Sequence, residues 1–142
     1  MNRRILLLTL LTVLLPAASG LGAGGFKVIV HPSNPVDSIS REQLAQIFLK
    51  KATTWPGGQR AAPVDQTEGS AARAAFSQAV LTKTVSEVKA YWQQQIFSGR
   101  SVPPVEKAND SQVVGFVLGN ELAVGYLSDG ADTGGAKVLR VE

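Results

Sequence analysis

Hydrophobic and polar positions along this chain switch repeatedly between the period of a strand and the period of a helix. Residues 26–32 (Phe-Lys-Val-Ile-Val-His-Pro) form a β-branched run stopped by proline, which predicts a buried strand. Ser40-Arg41-Glu42-Gln43 has the pattern of a capping box, and Leu44, Ile47 and Phe48 then share one helical face, which predicts a helix over residues 40–50. Trp55-Pro56-Gly57-Gly58 fits a turn in which proline presets φ and glycine supplies positive φ, with Trp55 folded back as an apolar plug. A short strand at residues 62–64 leads into a helix that starts near Ser70 and carries Phe76 and Val80 at helical spacing. Thr84-Val85-Ser86-Glu87 is a second capping-box pattern, ahead of an apolar face of Val88, Tyr91, Trp92 and Ile96. Residues 103–108 read as a strand entered through a proline pair. Asn109-Asp110-Ser111-Gln112 opens a helix with Val113, Val114, Val117 and Leu118 on its apolar surface and Gly119 at its close. Residues 123–127 and 137–141 complete the strands, separated by a Gly/Asp-rich turn.

Strands that alternate with helices predict an α/β fold, with a mostly parallel sheet flanked by helices. Ligands of such sheets bind beyond the carboxyl ends of the strands. In a parallel sheet those ends carry His31-Pro32-Ser33-Asn34, Gln66-Thr67-Glu68-Gly69-Ser70, Asn109-Asp110-Ser111 and Ser128-Asp129. This rim is polar, small and rich in hydrogen-bond donors. It suits the holding of a compact polar solute better than the breaking of one.

The beginning of the chain changes the picture of where such a domain works. Arg3 and Arg4 form a basic start, residues 5–15 are apolar, and Pro16-Ala17-Ala18-Ser19-Gly20 is a small-residue cleavage zone. Residues 1–20 therefore read as a secretory signal peptide, with an apolar stretch well short of the roughly 20 residues that span a bilayer. The expected location is the periplasm, with no membrane association after cleavage. Residues 21–25 form a Gly-rich flexible segment, and residues 26–142 a single domain with about 120 residues for its core. Removing Arg3 and Arg4 from the 14 basic residues leaves 12 against 11 acidic ones, a net charge of +1. With no basic run interleaved with aromatics, nucleic-acid binding gains no support. The chain has no cysteine, so lipid attachment through cysteine and disulfide stapling are excluded.

The segment with the most chemical content is Pro63-Val64-Asp65-Gln66-Thr67-Glu68-Gly69-Ser70-Ala71-Ala72-Arg73-Ala74-Ala75-Phe76, a strand that turns through Gly-Ser into an Ala-rich helix. The first free amides of a helix and its positive dipole end attract phosphate, sulfate or carboxylate. Gly69 allows close approach of a ligand, and Ser70 either caps the helix or donates its hydroxyl. The plain alternative is a turn whose serine is only an N-cap. A hydrolase built on Ser70 would need His31, the one histidine, and the nucleophile-elbow pattern is missing. Asp65 and Glu68 are acids around a turn, with no further acid cluster to make a metal site. A non-enzymatic binding domain without metal or cofactor is the resulting expectation.

Leu44-Ala45-Gln46-Ile47-Phe48-Leu49-Lys50, Trp55, Glu68-Gly69-Ser70 with Phe76, and Ala123-Val124-Gly125-Tyr126-Leu127 follow one another in an order and spacing that resemble the phosphate-binding proteins of bacterial ABC importers, specifically their second lobe. The resemblance implies a single periplasmic-binding-protein-like (type II) lobe. It places the ligand at Gln66, Thr67, Glu68, Gly69, Ser70 and Ala71, joined by Ser33, Asn34 and Ser111 from the rim. Where the family carries a phosphate-gripping arginine this chain has Gln66, and where Gly-Thr follows the serine it has Ala71-Ala72; the acid before the glycine is kept as Glu68. These departures remove a charge-assisted contact and a hydroxyl donor. Arg73 is expected to point away from the helix mouth. The implied partners are a small phosphate-like anion and an ABC permease, a sensor or a second lobe in trans. The alternative is a protein-interaction module that kept the lobe and lost the ligand.

Overall fold

The computed structural model describes residues 25–142; the expected signal peptide and all but the last residue of the Gly-rich segment lie outside them. The elements are β1 (Lys27–Val30), β2 (Ser38–Ile39), α1 (Arg41–Phe48), β3 (Ala62–Gln66), α2 (Ala71–Phe76), α3 (Val85–Phe97), β4 (Val105–Lys107), α4 (Asp110–Leu118), β5 (Ala123–Leu127) and β6 (Lys137–Val141). A π turn at Ser77–Leu81 continues α2 without a break. The strands form one six-stranded sheet in the order β2-β6-β1-β5-β3-β4. Pairing is parallel between β2 and β6, β3 and β4, and β3 and β5, and antiparallel where β1 meets β5 and β6.

Capping explains where the helices start. Ser40 Oγ accepts from the Gln43 amide at 3.1 Å while Gln43 Oε1 accepts from the Ser40 amide at 3.3 Å, a complete capping box. Thr84 accepts from the Glu87 amide and Asn109 from the Gln112 amide, so α3 and α4 are capped in the same sense. The π turn ends at Thr82, in the left-handed region at φ 54°. Its extra residue turns Leu81 toward the interior beside Val80 and Phe76, a packing requirement that heptad counting does not anticipate.

Two cores result. One face of the sheet packs Val28, Val30, Val124 and Tyr126 against Leu44, Ile47, Phe48, Phe76 and Trp92 from α1 to α3. Phe76 stacks on Tyr126 with centroids 4.1 Å apart. Trp55 is folded back into this core, as its turn predicts. The other face packs Ile29, Val64, Ala123 and Leu127 against Val113 and Val117 of α4. β5 is buried along its whole length and feeds both cores by alternation. Gly125 is the point of closest approach: a Cβ there would lie 2.7 Å from both Val64 Cγ1 and Val113 Cγ1. Among the described residues no helix is long and apolar enough to cross a membrane.

Two substitutions test this packing by denaturant unfolding. Trp92→Ala removes a ring that is 5% exposed and is expected to cost about 3–5 kcal/mol. Gly125→Ala forces a methyl between two valines and is expected to cost about 1–3 kcal/mol, with a native-like circular dichroism spectrum. A neutral result at either position would mean that the corresponding helix is not seated on the sheet.

Candidate functional site

β3 and β5 run parallel and end side by side, and the chain that leaves β3 turns through Thr67-Glu68-Gly69 into α2 while β4 feeds α4. Two helix starts therefore meet two strand ends, and Gln66, the last residue of β3, stands between them. The residue is 2% exposed, and its side-chain bonds are all internal. Nε2 donates to the Tyr126 carbonyl and to Asp110 Oδ1, both at 2.9 Å, and Oε1 accepts the Ser70 hydroxyl at 2.6 Å. Ser70 Oγ in turn accepts from the Arg73 amide at 3.1 Å, which makes it the N-cap of α2. Asp110, the first residue of α4, also accepts from the Ser128 amide at 3.0 Å. The amides of Ala71 and Ala72 in α2, and of Asp110 and Ser111 in α4, are first-turn donors without intrahelical acceptors. Gly69 has open space where a side chain would stand.

A buried charge network lies directly beneath. The Arg73 guanidinium, 3% exposed as a residue, donates through Nη1 to the Gln66 carbonyl and to Glu106 Oε1, each at 2.7 Å, and its Nη2 lies 3.7 Å from Asp65 Oδ2. Tyr126 Oη donates to Asp65 Oδ1, which also accepts from the Gln66 amide. Burial pushes the Asp65 carboxyl above the ordinary carboxylate range despite Arg73. Burial and the Asp65 charge push the Tyr126 phenol up, so it stays a proton donor. At Arg73 burial works against the charge, but Asp65 and Glu106 outweigh it and raise its pKa. Asp110 shows the opposite balance from Asp65. Burial pushes its carboxyl up, and the hydrogen bonds from Ser128 and Gln66 more than offset this, holding it below the usual range and ionised.

Of the residues expected to bind a ligand, Gln66, Thr67, Glu68, Gly69, Ser70, Ala71 and Ser111 gather at this end of the sheet. Ser111 lines an adjoining groove of about 360 Å³ with Asp110 and Asp132. Ser33 and Asn34 do not join them. The expectation placed them on the same rim through a parallel β1, but β1 is antiparallel to β5, with Lys27 opposite Leu127 and Val30 opposite Val124. The chain leaving β1 therefore emerges at the far end of the sheet. There Asn34 Oδ1 accepts from the Val36 amide, the Asn34 carbonyl accepts from Lys137 Nζ, and His31 Nδ1 lies 2.7 Å from Ser33 Oγ. The same reversal separates His31 from Ser70. Asp65 and Glu68 are also apart in environment: Asp65 is buried under the turn, whereas Glu68 is exposed and pairs with Lys89 at 3.2 Å. Arg73 turns away from the mouth, as its position in the first turn suggests. Sequence reasoning named Asp110 and Ser128 on the rim and Tyr126 in a family motif, but did not link them to Gln66; the links depend on β5 and β4 lying on either side of β3.

Residues 17–138 match the family model of the PBP superfamily domain. No curated protein matches the chain. Among solved structures, an ABC-type phosphate transport receptor from Vibrio cholerae is similar with a TM-score of 0.63 at 24% identity, over 82% of this chain and 46% of that one. A Clostridium perfringens substrate-binding protein assigned to phosphate ABC transport, solved with phosphate bound, matches with a TM-score of 0.63 at 24% identity, over 82% of this chain and 44% of that one. PstS from Borrelia burgdorferi matches with a TM-score of 0.65 at 16% identity, over 83% and 47%. The chain thus spans about half the length of the structures it resembles, as a single lobe does, and it shares their fold. On the family match over residues 17–138 and this common architecture, the chain belongs to the PBP superfamily domain family.

Proposed function

We propose that this chain is an exported, non-enzymatic solute-binding lobe that holds a small oxyanion of the phosphate class at the mouth of α2. The observation that carries the reading is the Gln66–Ser70 turn at the carboxyl end of β3. It brings a hydroxyl, a buried amide and the unpaired amides of Ala71 and Ala72 together at an open helix start. The fold shared with phosphate ABC transporter proteins supports the same reading. Ser70 already donates its proton to Gln66 Oε1, so ligand capture requires the hydroxyl to exchange that acceptor for the anion. Export rests on the basic start and apolar residues 5–15, with cleavage within residues 17–23 and delivery to the periplasm. The partner is an ABC permease, a sensor or a second lobe supplied in trans. Thr67, Glu68 and Gly69 shape the turn, and Ser111, in the first turn of α4, adds a hydroxyl at the same end of the sheet.

A second reading, an interaction module that kept the lobe and lost the ligand, is favoured by one specific observation. Ile96, Phe97, Val102 and Val105 are exposed around β4, the last strand of the sheet, and Phe97 is 93% exposed.

Calorimetric titration of the mature domain with phosphate, sulfate and acetate separates the two. Binding of phosphate or sulfate is expected, and Ser70→Ala is expected to weaken it by about 0.5–1.5 kcal/mol, roughly threefold to tenfold. The same substitution removes an N-cap and is expected to lower stability by about 0.5–2 kcal/mol. No heat and no melting shift with any of the three anions would overturn the anion reading in favour of the interaction module. For export, the mass of the periplasmic protein is expected to begin within residues 17–23; an intact leader in the membrane fraction would refute it.

A further inference from the structure

A cluster of apolar side chains stays in water where α3 ends. Ile96 and Phe97 close that helix, Ser98 caps it, Gly99 turns the chain back with φ 66°, and Val102 follows. Phe97 is 93% exposed and Ile96 and Val102 are more than half exposed, so these side chains project from a chain reversal instead of packing inside it. Single exposed apolar residues are ordinary, but three on one turn call for a partner. The charges around them share one sign. Arg100 is exposed within the turn, and Lys50 reaches the same segment from beyond the end of α1, its Nζ 3.5 Å from the Pro103 carbonyl. Lys51 stands beside it, with Nζ 5.9 Å from the centroid of the Tyr91 ring on α3. Among the described residues none of these three cations forms an ion pair. The segments that carry them hold no acid, either between Glu42 and Asp65 or between Glu87 and Glu106. Glu106 and Glu68 are already engaged, by Arg73 and Lys89.

We propose that this tip is a contact for an anionic phospholipid surface. Phe97, Ile96 and Val102 enter the boundary between headgroups and acyl chains, and Lys50, Lys51 and Arg100 meet the headgroup phosphates. A bilayer of this kind is an apolar layer beneath a sheet of negative charge, the complement of an apolar point flanked by cations. A protein would have to offer a pocket for Phe97 with acids at its rim. A second copy of the tip offers neither, because like cations would face each other. With a net charge of only +1 once Arg3 and Arg4 are set aside, the attraction is local to the tip and not a property of the whole chain. The contact lies on the surface and does not span, since no helix among the described residues is long and apolar enough to cross a membrane. To that extent it revises the expectation of no membrane association after cleavage. No residue of the tip enters the Gln66 network, so the proposal stands or falls apart from the anion-site reading.

Co-sedimentation of the mature protein with lipid vesicles tests this, with phosphatidylcholine alone compared with phosphatidylcholine and phosphatidylglycerol in equal parts, at low and high salt. The anionic vesicles are expected to bind the protein about tenfold or more tightly than the neutral ones, with the difference shrinking as salt rises. Phe97→Ser is expected to weaken binding to the anionic vesicles about tenfold and to leave the melting temperature unchanged, because the ring makes almost no contact within the fold. Lys50→Gln combined with Arg100→Gln is expected to weaken it about fivefold for each charge removed and to flatten the salt dependence. Val102→Ser reads the apolar contact independently should Phe97→Ser disturb folding. Equal binding to neutral and anionic vesicles, or binding that survives Phe97→Ser and Val102→Ser unchanged, would overturn the proposal. So would a folded protein that binds neither kind of vesicle, which would leave the tip to a protein with an acid-rimmed apolar pocket.

Discussion

The side-chain amide of Gln66 fixes how two parallel strands end and two helices begin. Its three bonds reach the Tyr126 carbonyl in β5, Asp110 at the start of α4 and Ser70 at the start of α2. Buried polar groups of this kind are costly when half satisfied, about 1–3 kcal/mol for each donor or acceptor left bare, so the network holds together as a unit. An apolar residue at 66 strands three partners at once. A residue with donors only keeps Asp110 and the Tyr126 carbonyl satisfied but releases the Ser70 proton, which can then turn toward the open mouth. Whether Ser70 serves the fold or a ligand is thus decided by its neighbour four residues earlier.

The network beneath the turn supports this arrangement. Arg73 reaches back along α2 to the Gln66 carbonyl, which closes the strand-to-helix turn from below, and its charge is answered by Glu106 on the neighbouring strand. Asp65 sits closer to neutral than an exposed aspartate because burial outweighs the attraction of Arg73. Tyr126 joins the two layers: its ring stacks on Phe76 in the core and its hydroxyl donates to Asp65. The cation of Arg73 is therefore consumed internally, so only amides and the helix dipole, and no side-chain charge, would favour an anion at the mouth above it.

The parts of this architecture encoded locally were legible in the sequence. Capping residues Ser40, Thr84 and Asn109 marked helix starts, β-branched runs marked strands, and the Gly-Ser turn marked the start of α2, because each depends on side chains within a few positions of one another. The two-residue β2, the reversal of β1 and the π turn were not legible. Strand direction is set by which distant segment a strand meets, and two residues carry too little pattern to announce themselves. The reversal of β1 had a functional cost to the reading, since it moved Ser33 and Asn34 to the wrong end. The Gln66–Tyr126 link joins residues 60 positions apart and the Gln66–Asp110 link 44 apart, so only the β3–β5 and β3–β4 pairings reveal them.

A site on a single lobe faces water on one side, which sets how it can be coupled to a partner. Exposed charges are screened within about 10 Å at ordinary salt, and solvent competes for every hydrogen bond the amides of Ala71 and Ala72 offer. A surface that covers the α2 mouth would lower the local dielectric and strengthen each of those interactions. On the proposed reading, whatever factor a partner would add to anion affinity, the anion would add to partner affinity by linkage. Phe97, 93% exposed at the end of α3, takes no part in the Gln66 network, so contacts made there would leave the bonds that shape the mouth undisturbed.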